Sequence, residues 1–167
     1  YKKINSIDSF FENKKGFIID PGNFNKTETG TLQNFIENNG ISIQNILLTH
    51  AHIDHVLGLQ WAFDTYKVPV KMHQEEKEIL NRNPMSARNY GFNFKPFEGE
   101  IEFLKEGDSV FLDEDELKVL FVPGHSPGSI AFYNNAQNFV ISGDALFQGS
   151  IGRTDLYRGN HAQLLES

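Results

Sequence analysis

Three histidines and an aspartate fall within six residues of this chain, and this run constrains the fold more than any other feature. The segment is His50-Ala51-His52-Ile53-Asp54-His55, directly after the apolar run 46–48. Neutral imidazoles and ionised carboxylates suit zinc, iron or manganese, and several of them together repel one another or stay unsatisfied without a cation. The run therefore predicts a metal site where a strand ends.

The spacing within this run excludes the commonest helical arrangement of metal ligands. Two ligands on a helix lie about three or four residues apart, because only then do they share a face. His50 and His52 are two residues apart, so an extended or turning backbone must present them. Asp54 and His55 are neighbours that point in different directions, so one loop can serve two ions.

Two later segments also place a metal-binding side chain directly after a strand-like run. His125 lies in the loop 123–128 (P-G-H-S-P-G), after the apolar run 117–122, and Asp144 follows Phe139-Val140-Ile141. A strand fixes the position of such a side chain, and the adjoining loop lets a ligand in. Pro-Gly and Gly-Asp pairs alone are ordinary turn sequences, so the prediction depends on their combination with the histidine run.

These three segments together resemble the signature of the metallo-β-lactamase superfamily, which is T-H-x-H-x-D-H, then P-G-H, then G-D. Thr49–His55, Pro123–His125 and Gly143–Asp144 match it in order. The run 143–155 is similar to the glyoxalase II-like (hydroxyacylglutathione hydrolase-like) branch, which carries G-R-T-D after its bridging aspartate. The resemblance covers residues 18 to about 165. It implies an α/β fold, the four-layer αββα sandwich. If the chain is partial, the C-terminal strand and helix of that sandwich would be missing.

The resemblance also implies a ligand set for two divalent ions, with zinc expected first and iron or manganese as alternatives. His50, His52 and His125 would bind the first ion, Asp54 and His55 the second, and Asp144 both. Asp54 and Asp144 are the predicted catalytic carboxylates. Two metal ions held in this way activate a shared water and polarise a carbonyl.

The bridging position favours one substrate class, the thioesters. With aspartate there rather than cysteine, the chain looks more like the thioester hydrolases than the zinc β-lactamases. Cleavage of a thioester such as S-lactoyl-glutathione releases a thiolate whose parent thiol has a pKa of about 8.5, so no strong general acid is needed.

Two alternatives to the hydrolase stay open at this stage. Persulfide dioxygenases share the motifs but bind one iron, at positions that match His50, His125 and Asp144, and that arrangement leaves sites free for dioxygen. A metal-binding protein without turnover is the other alternative. Metal content, oxygen uptake and a substrate panel distinguish the three.

One ligand of the family pattern has no match in this sequence. The family completes its second metal with a histidine from a later loop, whereas the last histidine here is His161, in a segment that resembles a helix start capped by Asn160. We expect His161 to be structural. We also expect residues 1–167 to be a single metallo-β-lactamase-like domain that is incomplete at the C-terminus.

Substrate contacts are predicted at two positions. Arg153 lies where glyoxalase II enzymes carry a lysine, so its guanidinium could hold a carboxylate, and a salt bridge to Asp155 or Glu116 is the alternative. Tyr157 could contact a glutathione-like tail, and an exposed loop residue is the alternative. The aromatic stretch 90–97 predicts either an apolar wall beside the site or part of the core.

Composition narrows the class of partner. The net charge is −7 without a basic stripe, so nucleic acid is not an expected partner, and the absence of cysteine excludes disulfides and thiolate metal sites. No apolar run approaches the ~18 residues of a membrane span. We expect a cytoplasmic protein with a small-molecule substrate and no membrane partner, and the sequence does not specify an oligomeric state.

Hydrophobic periodicity predicts strands that alternate with helices early in the chain and strands that dominate later. The predicted strands are 17–20, 46–48, 68–72, 110–112, 117–122, 130–133 and 139–142, and the predicted helices are 57–66, 75–80 and one around 32–36 that stops at Asn39-Gly40.

Overall fold

The computed structural model describes the backbone of residues 2–4 and 7–167, and the side chains from Asn13 onward. The elements in chain order are β1 (Lys2–Ile4), β2 (Ile7–Glu12), β3 (Lys15–Ile19), α1 (Lys26–Asn38), β4 (Ser42–Leu47), α2 (Ile53–Val56), α3 (Leu59–Tyr66), β5 (Val70–His73), α4 (Glu76–Asn89), β6 (Ile101–Leu104), β7 (Ser109–Leu112), β8 (Asp115–Phe121), β9 (Ile130–Asn134), β10 (Phe139–Ile141), β11 (Leu146–Phe147), β12 (Ser150–Ile151) and α5 (His161–Glu166).

Two sheets carry the architecture. The first has the strand order β1-β2-β3-β4-β5-β6, antiparallel from β1 to β3 and parallel from β3 to β6. The second is antiparallel, in the order β10-β9-β8-β7, and β11 pairs with β12 as a separate hairpin. The parallel strands need crossover connections, and α1, α3 and α4 supply them.

Strand β3, inside the first sheet, is buried on both faces. Side chains of β3 alternate, because Ile18 packs into a cluster with the helices while Phe17 and Ile19 pack into a cluster with the second sheet. Such double burial requires nearly continuous apolar strands, as in F-I-I of β3. The layers are thus helices, first sheet and second sheet, in agreement with the predicted metallo-β-lactamase fold.

Strand direction brings all the predicted site segments to one edge. The parallel strands β3 and β4 end there, which places Asp20 and Thr49 side by side. Strands β8 and β10 both pair antiparallel with β9, so they run in the same direction and end near each other. His125 and Asp144 follow these two strands. A hydrogen bond of 2.9 Å from the Ile130 amide to the Thr49 carbonyl joins the two sheets at this edge.

The predicted elements from β3 to β10 are present, with shifted ends. The helix predicted over 57–66 begins at Leu59, after Gly58, where a Cβ atom would lie 2.0 Å from Asn23 Oδ1. Helix α4 continues to Asn89 through Pro84, well beyond the predicted end at residue 80. Phe94 and Phe97 pack against the helix-side cluster, so this part of the aromatic stretch belongs to the core.

None of the helices in the described part of the chain combines the length and the hydrophobicity that crossing a bilayer requires.

Candidate metal centre

Three histidine rings from two segments converge in the predicted first site. His125 Nε2 lies 3.2 Å from His50 Nε2 and 2.9 Å from His52 Nδ1. His50 and His52 precede helix α2 in an extended stretch, as their spacing predicts, and His125 is in the loop after β8. His50 and His125 are buried, with exposed fractions of 1% and 3%.

A second group lies beside the first and shares Asp144 with it. His55 Nε2 lies 3.8 Å from Asp54 Oδ2 and 3.4 Å from Asp144 Oδ1. The other oxygen of Asp144, Oδ2, lies 3.8 Å from His125 Nε2. Asp144 therefore faces both groups, which is the geometry that a bridging carboxylate requires.

Hydrogen bonds on the outer side of the rings fix the tautomers of two histidines. His125 Nδ1 lies 2.7 Å from the carbonyl oxygen of Arg153, which only accepts, so Nδ1 carries the proton and Nε2 keeps its lone pair for the cluster. The Thr49 hydroxyl donates to Asp20 Oδ2 at 2.6 Å and lies 3.1 Å from His50 Nδ1. Since that hydroxyl proton is used, His50 Nδ1 donates to Thr49, and its Nε2 also faces the cluster unprotonated.

Burial and charge separate the protonation states of the histidines. Burial, together with the neighbouring histidines, lowers the pKa of His50 well below its ordinary value. Burial and His125 lower the pKa of His52 to about 4, although Asp54 and Asp144 oppose the change. Burial also lowers the pKa of His55, but its close contacts with Asp144 and Asp20 and the charges of Asp20 and Asp54 raise it to about 10. The His55 interaction and nearby histidines lower the pKa of Asp144.

The donor set fits metal ions. His50, His52 and His125 form one group of potential ligand atoms within 4.8 Å of one another, and Asp54, His55 and Asp144 form a second. Asp20 forms a third group with His50 and His55. Zinc–nitrogen bonds of about 2.0–2.1 Å at tetrahedral angles place ligand nitrogens about 3.3 Å apart, close to the separations in the first group. The second group is richer in carboxylate oxygen and more exposed.

Asp20 is a site residue that the sequence motifs did not identify. It is 4% exposed, its backbone φ is 50°, and its carboxylate accepts from the Thr49 amide at 2.8 Å and from the Thr49 hydroxyl. His55 Nδ1 lies 3.1 Å from Asp20 Oδ2, an ion-pair distance at which the N–H is not aligned for a hydrogen bond. The sequence feature that could have identified it is an acidic residue at the end of the predicted strand 17–20, directly before Pro21-Gly22.

The predicted substrate contacts are both paired with protein carboxylates. Arg153 Nε and Nη2 each donate to Asp155 at 2.7 Å, which is the salt bridge considered as the alternative. The Tyr157 hydroxyl donates to Glu78 at 2.6 Å, and the Arg82 guanidinium lies 3.8 Å from the centre of the Tyr157 ring. Their roles as substrate contacts stay predictions. His161 is exposed at the start of α5, where the Asn160 side chain accepts from the Gln163 amide.

The sequence profile of the Metallo-beta-lactamase superfamily matches residues 8–167. The chain belongs to this superfamily. Its members are metal-dependent hydrolases, and the two groups of histidine and aspartate ligands lie in the segments that carry the superfamily motifs.

The relatives of this superfamily member are named for different activities. The chain is 39% identical over 151 residues to the probable metallo-hydrolase YqgX of Bacillus subtilis, and the match covers 90% of this chain and 70% of that protein. It is 34% identical over 158 residues to the hydroxyacylglutathione hydrolase GloC of Haemophilus influenzae, covering 93% and 73%.

Two solved structures superpose on the fold with a TM-score of 0.83 each. BLEG-1, a B3 metallo-beta-lactamase, is 34% identical and is matched over 94% of this chain and 75% of its own. TTHA1623, in a di-iron-bound form, is 32% identical and is matched over 96% and 77%.

Proposed function

We propose that the chain is a metal-dependent thioester hydrolase that uses two divalent ions and cleaves a small acyl-thiol such as S-lactoyl-glutathione. The observation that carries the proposal is the position of Asp144, whose two oxygens face His55 and His125 at 3.4 and 3.8 Å. One carboxylate between two ligand groups is the arrangement for two ions that share a water.

The ligands divide between the ions as the sequence resemblance implies. His50, His52 and His125 would hold the first ion, Asp54 and His55 the second, and Asp144 both. When bound, such a pair lowers the pKa of water and polarises the thioester carbonyl. Zinc suits the three imidazoles, and the di-iron form of TTHA1623 supports iron as the alternative.

The exposed residues of the centre define the side from which a substrate approaches. The side chain of Asp54 is 71% exposed and that of Asp144 is 30% exposed, whereas His125 is 3% exposed. A thioester carbonyl would therefore approach over the two aspartates, and Asp54 would be the carboxylate available to accept a proton. The thiolate product departs without a dedicated acid.

The thioester is favoured over other substrates by the likeness to a hydroxyacylglutathione hydrolase. The main alternative substrate class is the β-lactams, because the chain has the same sequence identity, 34%, to BLEG-1 as to the hydroxyacylglutathione hydrolase GloC. A persulfide dioxygenase needs iron and two histidines with one carboxylate. His52, whose Nδ1 lies 2.9 Å from His125 Nε2, belongs to the histidine motif that both classes share, so the bound metal and oxygen uptake must distinguish them.

A three-substrate comparison tests this proposal. The metal-free chain would be reloaded with zinc or iron and assayed with S-lactoyl-glutathione, nitrocefin and glutathione persulfide. We expect thioester cleavage to have the highest kcat/KM, and the activity to disappear when the metal is removed. Preferential nitrocefin cleavage, or oxygen uptake with iron and persulfide, would reject the thioester assignment in favour of the corresponding alternative.

A further inference from the structure

Glu76, the first residue of helix α4, is a fully buried carboxylate outside the ligand set. It does not cap its own helix, since its carboxylate accepts three hydrogen bonds from two other segments. Oε2 accepts from the Ala51 amide at 2.7 Å, and Oε1 accepts from the Ser126 hydroxyl at 2.6 Å and the Gly128 amide at 2.7 Å. Burying a carboxylate is costly, and these three hydrogen bonds offset that cost.

The three donors belong to the two segments that supply the three-histidine group. Ala51 lies between His50 and His52, and Ser126 directly follows His125. The first segment leaves β4 of the first sheet, and the second leaves β8 of the second sheet. Glu76 is thus hydrogen-bonded to both of the segments that carry this group.

A second residue of α4 holds the other side of the first segment. Asn83 is 2% exposed, and its side-chain amide donates to the Ala51 carbonyl at 2.9 Å. Glu76 and Asn83 are seven residues apart, about two helical turns, so they lie on one face of α4. Both polar groups of Ala51 are therefore bonded to the same helix.

The second segment approaches α4 too closely for any side chain. A Cβ atom at Gly128 would lie 2.9 Å from Glu76 Cγ and 2.9 Å from the Glu76 amide nitrogen. Burial raises the pKa of Glu76 above its ordinary value, although the hydrogen bonds from Ser126, Ala51 and Gly128 oppose this change. All three partners donate, so the ionised carboxylate is the form that satisfies them.

We propose that Glu76 is a positioning residue, whose carboxylate joins the segments 50–52 and 125–128 at the separation at which His50, His52 and His125 can share one ion. The inference rests on the proposed metal centre, but it does not depend on the substrate. Asn83 acts in the same way on the first segment alone.

The test measures zinc affinity and needs no turnover. Glu76→Gln keeps the shape of the side chain but replaces an acceptor with a donor, so one buried amide or hydroxyl loses its partner. The metal-free chain would be titrated with zinc against a chelator, and cobalt(II) absorption would report the ligand geometry of the three-histidine site. We expect Glu76→Gln to weaken that site about 10- to 100-fold, the range for residues that orient metal ligands, with an altered cobalt spectrum. Asn83→Ala should have a smaller effect in the same direction.

Two control variants on the same helix separate positioning from general stability. Glu78→Gln makes the identical chemical change at an exposed residue, and Ile79→Val removes a methyl group from the core. Both should keep the native zinc affinity, even where Ile79→Val lowers the melting temperature as much as Glu76→Gln. Ser126→Ala removes a single hydrogen bond to Glu76 and should also weaken the site measurably. This variant replaces Glu76→Gln in the test if Glu76→Gln does not fold.

Two results would overturn the role of Glu76. One is a native zinc affinity and cobalt spectrum in Glu76→Gln, or in Ser126→Ala if the former is unfolded. The other is an equal loss of affinity in Ile79→Val at matched stability. A native chain that binds no zinc or iron would instead reject the proposed function, so the two failures are distinguishable.

Discussion

Single residues on the outer side of the histidine rings decide which nitrogen faces the centre. Asp20 accepts a hydrogen bond from the Thr49 hydroxyl, so the Thr49 oxygen accepts from His50 Nδ1, and the lone pair of His50 Nε2 points inward. Metal-binding imidazoles generally have such a partner, because it fixes both tautomer and ring orientation. The series of hydrogen bonds from Asp20 through Thr49 to His50 is therefore part of the centre, although Asp20 and Thr49 are not assigned as metal ligands.

Thr49→Val tests this chain of hydrogen bonds. Valine has nearly the shape of threonine but no hydroxyl, so His50 Nδ1 and Asp20 each lose a partner. We expect zinc affinity to fall about 10- to 100-fold with the fold retained. Chelator competition would measure it, and Thr31→Val on the exposed face of α1 is the matched control. Unchanged affinity in Thr49→Val would mean that the hydroxyl does not orient His50.

Asp144→Ala tests the bridging role. The substitution removes the carboxylate that faces both ligand groups, so we expect the rate of thioester hydrolysis to fall by several powers of ten. Steady-state kinetics and metal analysis on the same preparations measure the effect. Asp64→Ala, at an exposed aspartate in α3, should keep the native rate. Near-normal turnover in Asp144→Ala contradicts the assigned role.

The sequence predicted the candidate ligands but not the residues that orient them. His50, His52, Asp54 and His55 are adjacent in the chain, so their type and spacing identify them. Glu76 contacts Ser126 across 50 positions, and Asp20 contacts Thr49 across 29. Such contacts exist only once the sheets have formed, and no local pattern marks either carboxylate as buried.

At the level of elements, the centre is built where four strand ends meet. The strands β3 and β4 were predictable because their apolar runs are continuous, and β8 and β10 because theirs are flanked by turn residues. The continuation of α4 through Pro84 was not, since proline removes a helical hydrogen bond. Buried contacts of Asn83 and Ala87 hold that part of the helix in place.

The β11–β12 hairpin returns the chain directly beneath the centre, at Gly152. A Cβ atom built there would lie 1.8 Å from the Asp144 carbonyl oxygen and 3.1 Å from His125 Nδ1. Gly152→Ala must therefore displace the 152–155 segment, including the Arg153 carbonyl that orients His125. We expect a loss of about 1–3 kcal/mol of stability, as for overpacking, together with weaker zinc binding.

Gly149 provides the matched comparison within the same hairpin. Its φ is +76° and nothing lies within 4 Å of a Cβ atom there. Gly149→Ala should cost about 1–2 kcal/mol of left-handed backbone strain, with zinc affinity unchanged. Denaturant unfolding and zinc titration of both variants decide the point. Equal zinc affinity in the two variants would show that the close approach at Gly152 does not support His125.

At the scale of the whole molecule, the centre joins the two sheets. The segment after β4 belongs to the first sheet, and the segments after β8 and β10 belong to the second. An ion held by ligands from both sheets binds the folded state and not the separated segments, so it stabilises the fold by mass action. The apolar cluster between the two sheets, which includes Phe17, Ile19 and Phe132, should therefore unfold together with the metal centre.

Metal removal tests this coupling. Zinc at about 100 times its dissociation constant should stabilise the fold by about 2.7 kcal/mol, which corresponds to roughly 5–10 °C in melting temperature for a chain of this size. Thermal unfolding with excess zinc and with a chelator measures the difference. His125→Ala should lose most of the shift, because the first ion then loses one of its three histidines, the one that the second sheet supplies. An identical melting temperature in both conditions would contradict the coupling.

The most direct measurement is anomalous X-ray diffraction at the zinc edge from crystals of the zinc-loaded chain. The account predicts two anomalous peaks. One should lie about 2.0–2.2 Å from nitrogens of His50, His52 and His125, and the other at ligand distance from Asp54 and His55, with Asp144 between them. Peaks elsewhere on the molecule, or none among these six side chains, would contradict the central claim.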